Sequence, residues 1–134
     1  MQYIPGVEAN GDRWDVGMAM YRRIYGDDAV GWPRGQSPMF DVMIEQLFAE
    51  IWTRPALDIP TRRLITLGVL AAQAKYDVLE LQFQRALRTG ELDADQVRET
   101  VIHLIAYVGY PSSAALLRAE ENAIAAFGSE GEQA

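Results

Sequence analysis

Length, composition and charge narrow the functional classes open to this chain. Its 134 residues, 49% of them hydrophobic and 23% charged, fit one globular domain with a core of its own. The formal net charge of -7 argues against a surface that binds nucleic acid or anionic lipid. With no cysteine and one histidine, the chain has no disulfide, no thiol chemistry and no zinc site built from several imidazoles.

No stretch of the sequence predicts export or a membrane span. The first six residues lack a basic region followed by an apolar core. The longest apolar stretch, residues 64–74, is shorter than the roughly 20 residues needed to cross a bilayer. We therefore expect a cytoplasmic protein that does not bind membranes.

The first half of the chain predicts an irregular arm and two helices. Residues 1–12 form the arm, and residues 13–27 form the first helix, which is followed by a loop rich in glycine and proline. Ser37 and Pro38, an N-cap and a proline at the first helical position, begin the second helix, which ends before Pro55.

The third predicted helix is apolar around nearly its whole circumference. It begins at Pro60 or Thr61 and runs to about Lys75. Its apolar residues are Leu64, Ile65, Leu67, Val69, Leu70, Ala71 and Ala72. A helix of this kind is buried on nearly all sides. We therefore expect it to lie centrally in the bundle and also to face a second subunit.

The second half of the chain predicts three further helices and a tail. The fourth helix covers residues 77–89 and ends at Gly90, a typical C-terminal cap, and Asp93 begins the fifth helix. A sixth helix covers residues 112–127, and we expect the tail over residues 128–134 to be disordered. No segment alternates with period two for long, so the whole chain predicts one all-α domain.

His103 is the first candidate for chemistry, because histidine is the only side chain whose ordinary pKa is near neutrality. On the fifth helix it falls in a polar stripe with Gln96, Thr100 and Tyr107, beside the apolar face. A stripe in that position can line a cleft. A histidine that hydrogen-bonds a carbonyl at a helix contact is the alternative, and the sequence leaves both open.

Three arginines flank the turn before the third helix, namely Arg54, Arg62 and Arg63. Guanidinium groups bind carboxylates through two parallel hydrogen bonds, and a helix N-terminus adds positive potential. Ion pairing at a subunit surface is the alternative role. Nearby, Asp77 complements the dipole of the fourth helix, and Trp52 belongs either to the core or to the wall of a pocket.

Several sequence blocks occur together in one order and spacing. They are residues 52–57, residues 61–67, residues 85–90, and His103 with Tyr107, Gly109 and Pro111. On these blocks the chain resembles the gamma-carboxymuconolactone decarboxylase family over residues 14–127, with Arg63 in place of a serine. The resemblance implies an alkylhydroperoxidase-like helical bundle that assembles as a homotrimer or homohexamer, with sites near the subunit contacts.

The resemblance also implies a lyase that removes a carboxylate from a small anionic lactone without a cofactor or a metal. The thiol peroxidase branch of the family needs a Cys-x-x-Cys pair, which this chain lacks. The candidate residues are His103, Tyr107 and Gln82 for catalysis and Arg62, Arg54, Trp52 and Asp77 for substrate binding. In outline, Arg62 with Arg54 binds an anionic group, His103 or Tyr107 protonates an enolate, and Gln82 hydrogen-bonds a carbonyl.

Two positions on the fourth helix depart from the family pattern. Decarboxylases of the family carry a glutamate four residues before a histidine there, and this chain has Val78 and Gln82 instead. We therefore expect the substrate to be a small carboxylated lactone or a related enolisable metabolite. Three alternatives remain: an isomerase or cyclase, a non-catalytic oligomeric protein that binds small molecules, and simple association through the third helix.

Overall fold

The computed structural model describes residues 12–133, and every regular element in that range is a helix. The helices are α1 (Arg13–Tyr25), α2 (Pro38–Val42), α3 (Ile59–Ala72), α4 (Tyr76–Thr89), α5 (Ala94–Val108) and α6 (Ser113–Gln133). α2 continues directly into a π-helical segment, Met43–Ile51, and a short 3-10 turn, Tyr110–Ser112, precedes α6. The all-α prediction is confirmed for this range. The predicted arm lies outside the described residues, apart from its last residue, Asp12.

The described helices form two compact units, each with its own hydrophobic core. The division falls inside α3, between Arg62 and Arg63. The prediction of one domain over the whole chain stays a prediction. Within residues 12–133, no helix combines the length and apolar character that crossing a bilayer requires.

The first unit packs α1 against α2 and the π-helical segment. Its buried core consists of Ile24, Phe40, Ile44, Phe48 and Trp52. Both helices begin as their sequences indicate: the Asp12 carboxylate accepts a hydrogen bond from the Trp14 amide at 2.9 Å, and the Ser37 hydroxyl accepts one from the Phe40 amide at 3.3 Å. α1 ends at Tyr25, two residues earlier than predicted, because Gly26 adopts a φ of +105°.

Gly17 lets α1 approach the π-helical segment closely. A Cβ atom at this position would lie 2.1 Å from the carbonyl oxygen of Ile44. We therefore expect Gly17→Ala to lower the free energy of unfolding by about 2–3 kcal/mol, because backbone would have to shift. Urea-induced unfolding measures the change. Gly128→Ala is the control, since a Cβ there meets nothing within 4 Å, and we expect it to stabilise α6 by about 0.5–1 kcal/mol. Equal effects of the two substitutions would contradict the close approach.

The second unit packs α4, α5, α6 and the C-terminal part of α3 around the larger core. Its buried residues are Leu67, Ala71, Leu79, Phe83, Leu87, Val97, Val101, Leu116, Ala119 and Ala123. The predicted end of α4 and the predicted start of α5 are confirmed. Gly90 caps α4 with a φ of +75°, and Asp93 and Gln96 form a reciprocal capping box at the start of α5, with bonds of 2.8 and 2.9 Å.

α3 is buried on one side only, so the prediction of burial on nearly all sides is wrong for this chain alone. Leu67 and Ala71 are 0% and 1% exposed, whereas Leu64, Ile65 and Val69 are 46%, 55% and 49% exposed. The helices of the second unit cover the face of α3 that carries Leu67 and Ala71. The predicted contact of α3 with a second subunit stays a prediction.

The prediction of a disordered tail after Phe127 is wrong for the described residues, because α6 continues to Gln133. The Arg88 guanidinium on α4 donates to the Glu130 carboxylate, with a distance of 2.9 Å from Nε to Oε2. This ion pair joins the last turns of α6 to α4, and it gives the helix a tertiary contact that the small, polar sequence after Phe127 does not reveal.

Glu120 is a buried carboxyl group on α6, only 4% exposed. Burial, followed by interactions with Glu121, raises the pKa of Glu120 to about 7, while Arg98 acts in the opposite direction. The folded state therefore binds this proton more tightly than the unfolded state does. Its contribution to stability is present in full below about pH 4.5 and is lost as the pH rises through about 7.

We expect Glu120→Gln to remove much of this pH dependence and to raise the free energy of unfolding at about pH 8 by roughly 1–3 kcal/mol. Urea midpoints of both proteins at several pH values between about 4 and 8 measure the effect. Glu121→Gln is the control. Glu121 is exposed, and its hydrogen bond to Arg98 lowers its pKa, so we expect stability to fall with rising pH in this variant as in the wild type. Parallel pH profiles for the wild type and Glu120→Gln would contradict the burial argument.

Candidate functional site

A groove of about 490 Å³ in the second unit is lined by His103. Its other lining residues are Leu64, Leu92, Gln96, Glu99, Thr100 and Leu104. Three of the four residues in the predicted polar stripe on α5, namely Gln96, Thr100 and His103, therefore line this groove. The volume is within the range of small-molecule pockets.

The imidazole of His103 and the phenol of Tyr107 lie side by side on the exposed face of α5. Their ring centroids are 5.2 Å apart, as expected for residues one helical turn apart. Both side chains are exposed, Tyr107 by 81%. Among residues 12–133, His103 has no hydrogen-bond partner, so the alternative role of bonding a carbonyl at a helix contact is not observed there. The imidazole is therefore accessible to a ligand of the groove.

The remaining polar groups of the groove are tied into α5 or carry negative charge. The Gln96 side chain belongs to the capping box, and the Thr100 hydroxyl donates to the Gln96 carbonyl at 2.7 Å. Glu99 adds a carboxylate, and the described lining contains no cation. The groove therefore presents an imidazole and a carboxylate beside three leucines.

Gln82, the third predicted catalytic residue, lies in a buried network and does not line this groove. Its side chain is 0% exposed, and its carbonyl oxygen accepts a hydrogen bond from Arg63 Nη1 at 3.1 Å. Arg63 is 1% exposed and donates from Nε and Nη2 to the two Glu91 oxygens at 2.8 and 3.2 Å. The Thr89 hydroxyl donates to the same carboxylate at 2.6 Å. This bidentate geometry satisfies a charge that burial would otherwise destabilise.

The network corrects two expectations from the sequence. Arg63 was a candidate for binding a ligand anion, but its guanidinium is bonded to Glu91 inside the protein. Gln82 does not join His103 and Tyr107, because α4 directs it into the core beside Arg63. The sequence contains a signal for this placement: Arg63 precedes the buried Leu67 and Ala71 by four and eight residues, which puts it on the buried face of α3.

Arg62 and Arg54 lie in the first unit and differ in their contacts. The Arg62 guanidinium donates to the carbonyl oxygens of Leu57 at 3.1 Å and Arg54 at 3.0 Å, which fastens the turn before α3. The Arg54 side chain is exposed and lines a second groove, of about 630 Å³, together with Arg23 and Trp52. Of the two predicted anion ligands, Arg54 is therefore the more accessible to a small molecule.

Trp52 lies in the core and Asp77 lies at a helix start, as the alternatives to a substrate-binding role describe. Trp52 is 7% exposed and stacks on Phe48 in the core, with ring centroids 6.5 Å apart, although one edge lines the Arg54 groove. Asp77 is exposed at the start of α4, and its carboxylate accepts a hydrogen bond from the Val78 amide at 2.9 Å. Stabilisation of the helix start accounts for this residue, and its predicted role in substrate binding stays a prediction.

Comparison with known proteins gives a family match over the middle of the chain. The model of the Carboxymuconolactone decarboxylase family matches residues 38–121. A 4-carboxymuconolactone decarboxylase from Acinetobacter baylyi is 36% identical over 75 residues, which are 55% of this chain and 55% of that protein. The nitrosuccinic acid decarboxylase npaB from Metarhizium robertsii is 33% identical over 75 residues, 56% of this chain and 52% of that protein. The chain thus spans about half the length of these relatives. No solved structure gives a significant match.

Proposed function

The chain belongs to the carboxymuconolactone decarboxylase family, and from this premise we propose that it is a cofactor-free decarboxylase-like enzyme acting on a small carboxylated metabolite. Two relatives bear the names of decarboxylases with different substrates, one a carboxylated lactone and the other nitrosuccinic acid. Both compounds have an electron-withdrawing group, a lactone or a nitro group, near a carboxylate. We propose as the substrate class small molecules that carry a carboxylate near an electron-withdrawing group.

The carboxylate and the electron-withdrawing group that both compounds share define which groups the protein has to supply. The bond between the carboxylate and its carbon breaks, carbon dioxide leaves, and the electron pair stays on the substrate, delocalised into the lactone or nitro group. The resulting carbanion then takes up one proton, at that carbon or at a carbon conjugated to it. A protein that catalyses this reaction needs a surface that favours loss of the charged carboxylate and a group that delivers the proton.

One observation carries the proposal: the only histidine of the chain is exposed in a groove with an apolar floor, with its ring beside that of Tyr107. Imidazole is the side chain that most often transfers protons in enzymes. We assign His103 as the proton donor to the substrate carbon and Tyr107 as the neighbour that orients or re-protonates it. Arg54 remains the proposed ligand of an anionic group in its own groove of the first unit, where the Arg62 guanidinium bonds the Arg54 carbonyl.

The proposed function is tested by incubating the protein with 4-carboxymuconolactone and with nitrosuccinate in separate reactions. Release of carbon dioxide is followed by mass spectrometry, with a heat-denatured sample as the control for spontaneous loss. We expect enzymatic release from at least one of the two compounds. Absence of release from both, together with absence of binding, would contradict the proposal.

A non-catalytic binding protein is the second candidate, and the Gln82 position favours it. Where the family resemblance implies a glutamate and a histidine, this chain has Val78 and Gln82. Gln82 is fully buried and bonded to Arg63. Such a protein would be stabilised by its ligand against heat without forming a product. Ligand-dependent stabilisation with no release of carbon dioxide would therefore favour this candidate over the enzyme.

A further inference from the structure

A third cleft, of about 610 Å³, opens in the first unit between α1 and the loop over residues 27–34. It is formed by residues that precede the range matching the family model, and none of the candidate site residues lines it. Its volume is within the range of small-molecule pockets. A ligand of this cleft would be separate from the function proposed above.

Three aromatic rings line the cleft and pack edge-on against one buried ring, Phe40. In the order Trp14, Tyr21 and Trp32, their centroids lie 5.8, 5.6 and 5.4 Å from that of Phe40. The Tyr21 hydroxyl also donates to the Val30 carbonyl, which ties the loop to α1. Trp32 remains 47% exposed. These contacts fix an aromatic wall in advance of ligand binding, and such a wall suits a planar ring.

The rim of the cleft has charges of both signs. The charged side chains that line it are Asp15, Arg22, Asp27 and Arg34. Arg34 is already neutralised, because its guanidinium donates to Asp12 and lies 3.7 Å from Glu45 and near Asp15. Arg22 and Asp27 are exposed, and in the described part of the chain neither side chain has a hydrogen bond or ion pair. These two side chains are available to a ligand, one positive and one negative.

We propose that this cleft binds a small aromatic zwitterion, an amino acid with an aromatic side chain being the simplest example. Its ring would contact the wall that includes Trp32, its carboxylate would bind Arg22, and its ammonium group would bind Asp27. The carboxylate of an aromatic acid would face the like charge of Asp27, and the ammonium group of an aromatic amine would face the like charge of Arg22. A ligand with both charges complements both residues.

Isothermal titration calorimetry of the whole chain with three probes tests the proposal. Phenylalanine has both charges, whereas phenethylamine has only the ammonium group and 3-phenylpropionate only the carboxylate. We expect phenylalanine to bind about 10-fold or more tightly than either of the others. Arg22→Gln should weaken phenylalanine binding about 10-fold and leave phenethylamine unaffected, and Asp27→Asn should weaken phenylalanine similarly and leave 3-phenylpropionate unaffected.

Arg23→Gln is the matched control, because Arg23 is the next residue of α1, is also exposed, and lines the Arg54 groove instead. Its affinity for phenylalanine should equal that of the wild type, and urea midpoints verify that each variant folds. Equal losses in Arg22→Gln and Arg23→Gln would overturn the proposal. So would equal affinity for all three probes, or no saturable binding of phenylalanine up to about 10 mM.

Discussion

Replacing His103 by glutamine is expected to lower the rate of carbon dioxide release by about 10²–10⁴-fold, the usual contribution of a proton-transfer group. The imidazole is exposed and its ring lies beside that of Tyr107, so its removal should leave the urea midpoint of unfolding unchanged. The rate is measured at equal concentrations of folded wild type and variant, with whichever of the two candidate substrates the wild type converts.

Two tyrosine variants serve as a matched pair for this experiment. Tyr107→Phe removes the hydroxyl beside His103, whereas Tyr110→Phe removes one from a residue in the neighbouring 3-10 turn that is similarly exposed, at 77% against 81%. We expect a lower rate for the first and an unchanged rate for the second. If His103→Gln released carbon dioxide as fast as the wild type, the assignment of the proton donor would be wrong even though the chain were a decarboxylase.

Replacing Arg63 by methionine is expected to lower the free energy of unfolding by about 3–5 kcal/mol, the usual cost of breaking a buried ion pair. The substitution removes a guanidinium that is 1% exposed, and Glu91 and the buried Gln82 carbonyl lose the hydrogen bonds that this guanidinium donates. Loss of charge-assisted hydrogen bonds by a largely buried carboxylate and a buried amide is unfavourable. Urea-induced unfolding at neutral pH measures the loss.

Arg98→Met is the control for the buried pair. Arg98 also pairs with a glutamate, Glu121 at 3.3 Å, but both side chains are nearly half exposed, so we expect a loss of at most about 1 kcal/mol. Adding Glu91→Gln to Arg63→Met removes the unpaired charge and should restore part of the lost stability. Similar losses for Arg63→Met and Arg98→Met would show that burial does not strengthen the Arg63–Glu91 pair.

Local chemistry made much of the fold predictable from the sequence. Ser37, Gly90, and Asp93 with Gln96 mark helix ends through hydrogen bonds or backbone angles that involve only their neighbours, and the structure places the helix ends there. The inward face of α4 follows in the same way from the spacing of its apolar residues. The same periodicity puts His103 in a polar stripe, and the structure decides between the two roles that the sequence left open for it.

The features that were missed depend on contacts between distant residues. Arg88 reaches Glu130 across 42 positions, Arg63 reaches Glu91 across 28, and the close approach at Gly17 involves the backbone of Ile44. No local pattern specifies which residues will meet over such separations. For the same reason, Gln82 was grouped with His103 from a family resemblance, although its buried partner on α3 determines its position.

The central claim, that a group on the protein delivers a proton to the carbanion left by loss of carbon dioxide, can be tested by running the reaction in deuterium oxide. We predict a product with one deuterium at the protonated carbon in a single configuration, since a proton donor fixed on α5 approaches from one face. A racemic label would show that the carbanion is protonated by bulk solvent, and it would contradict the role of His103.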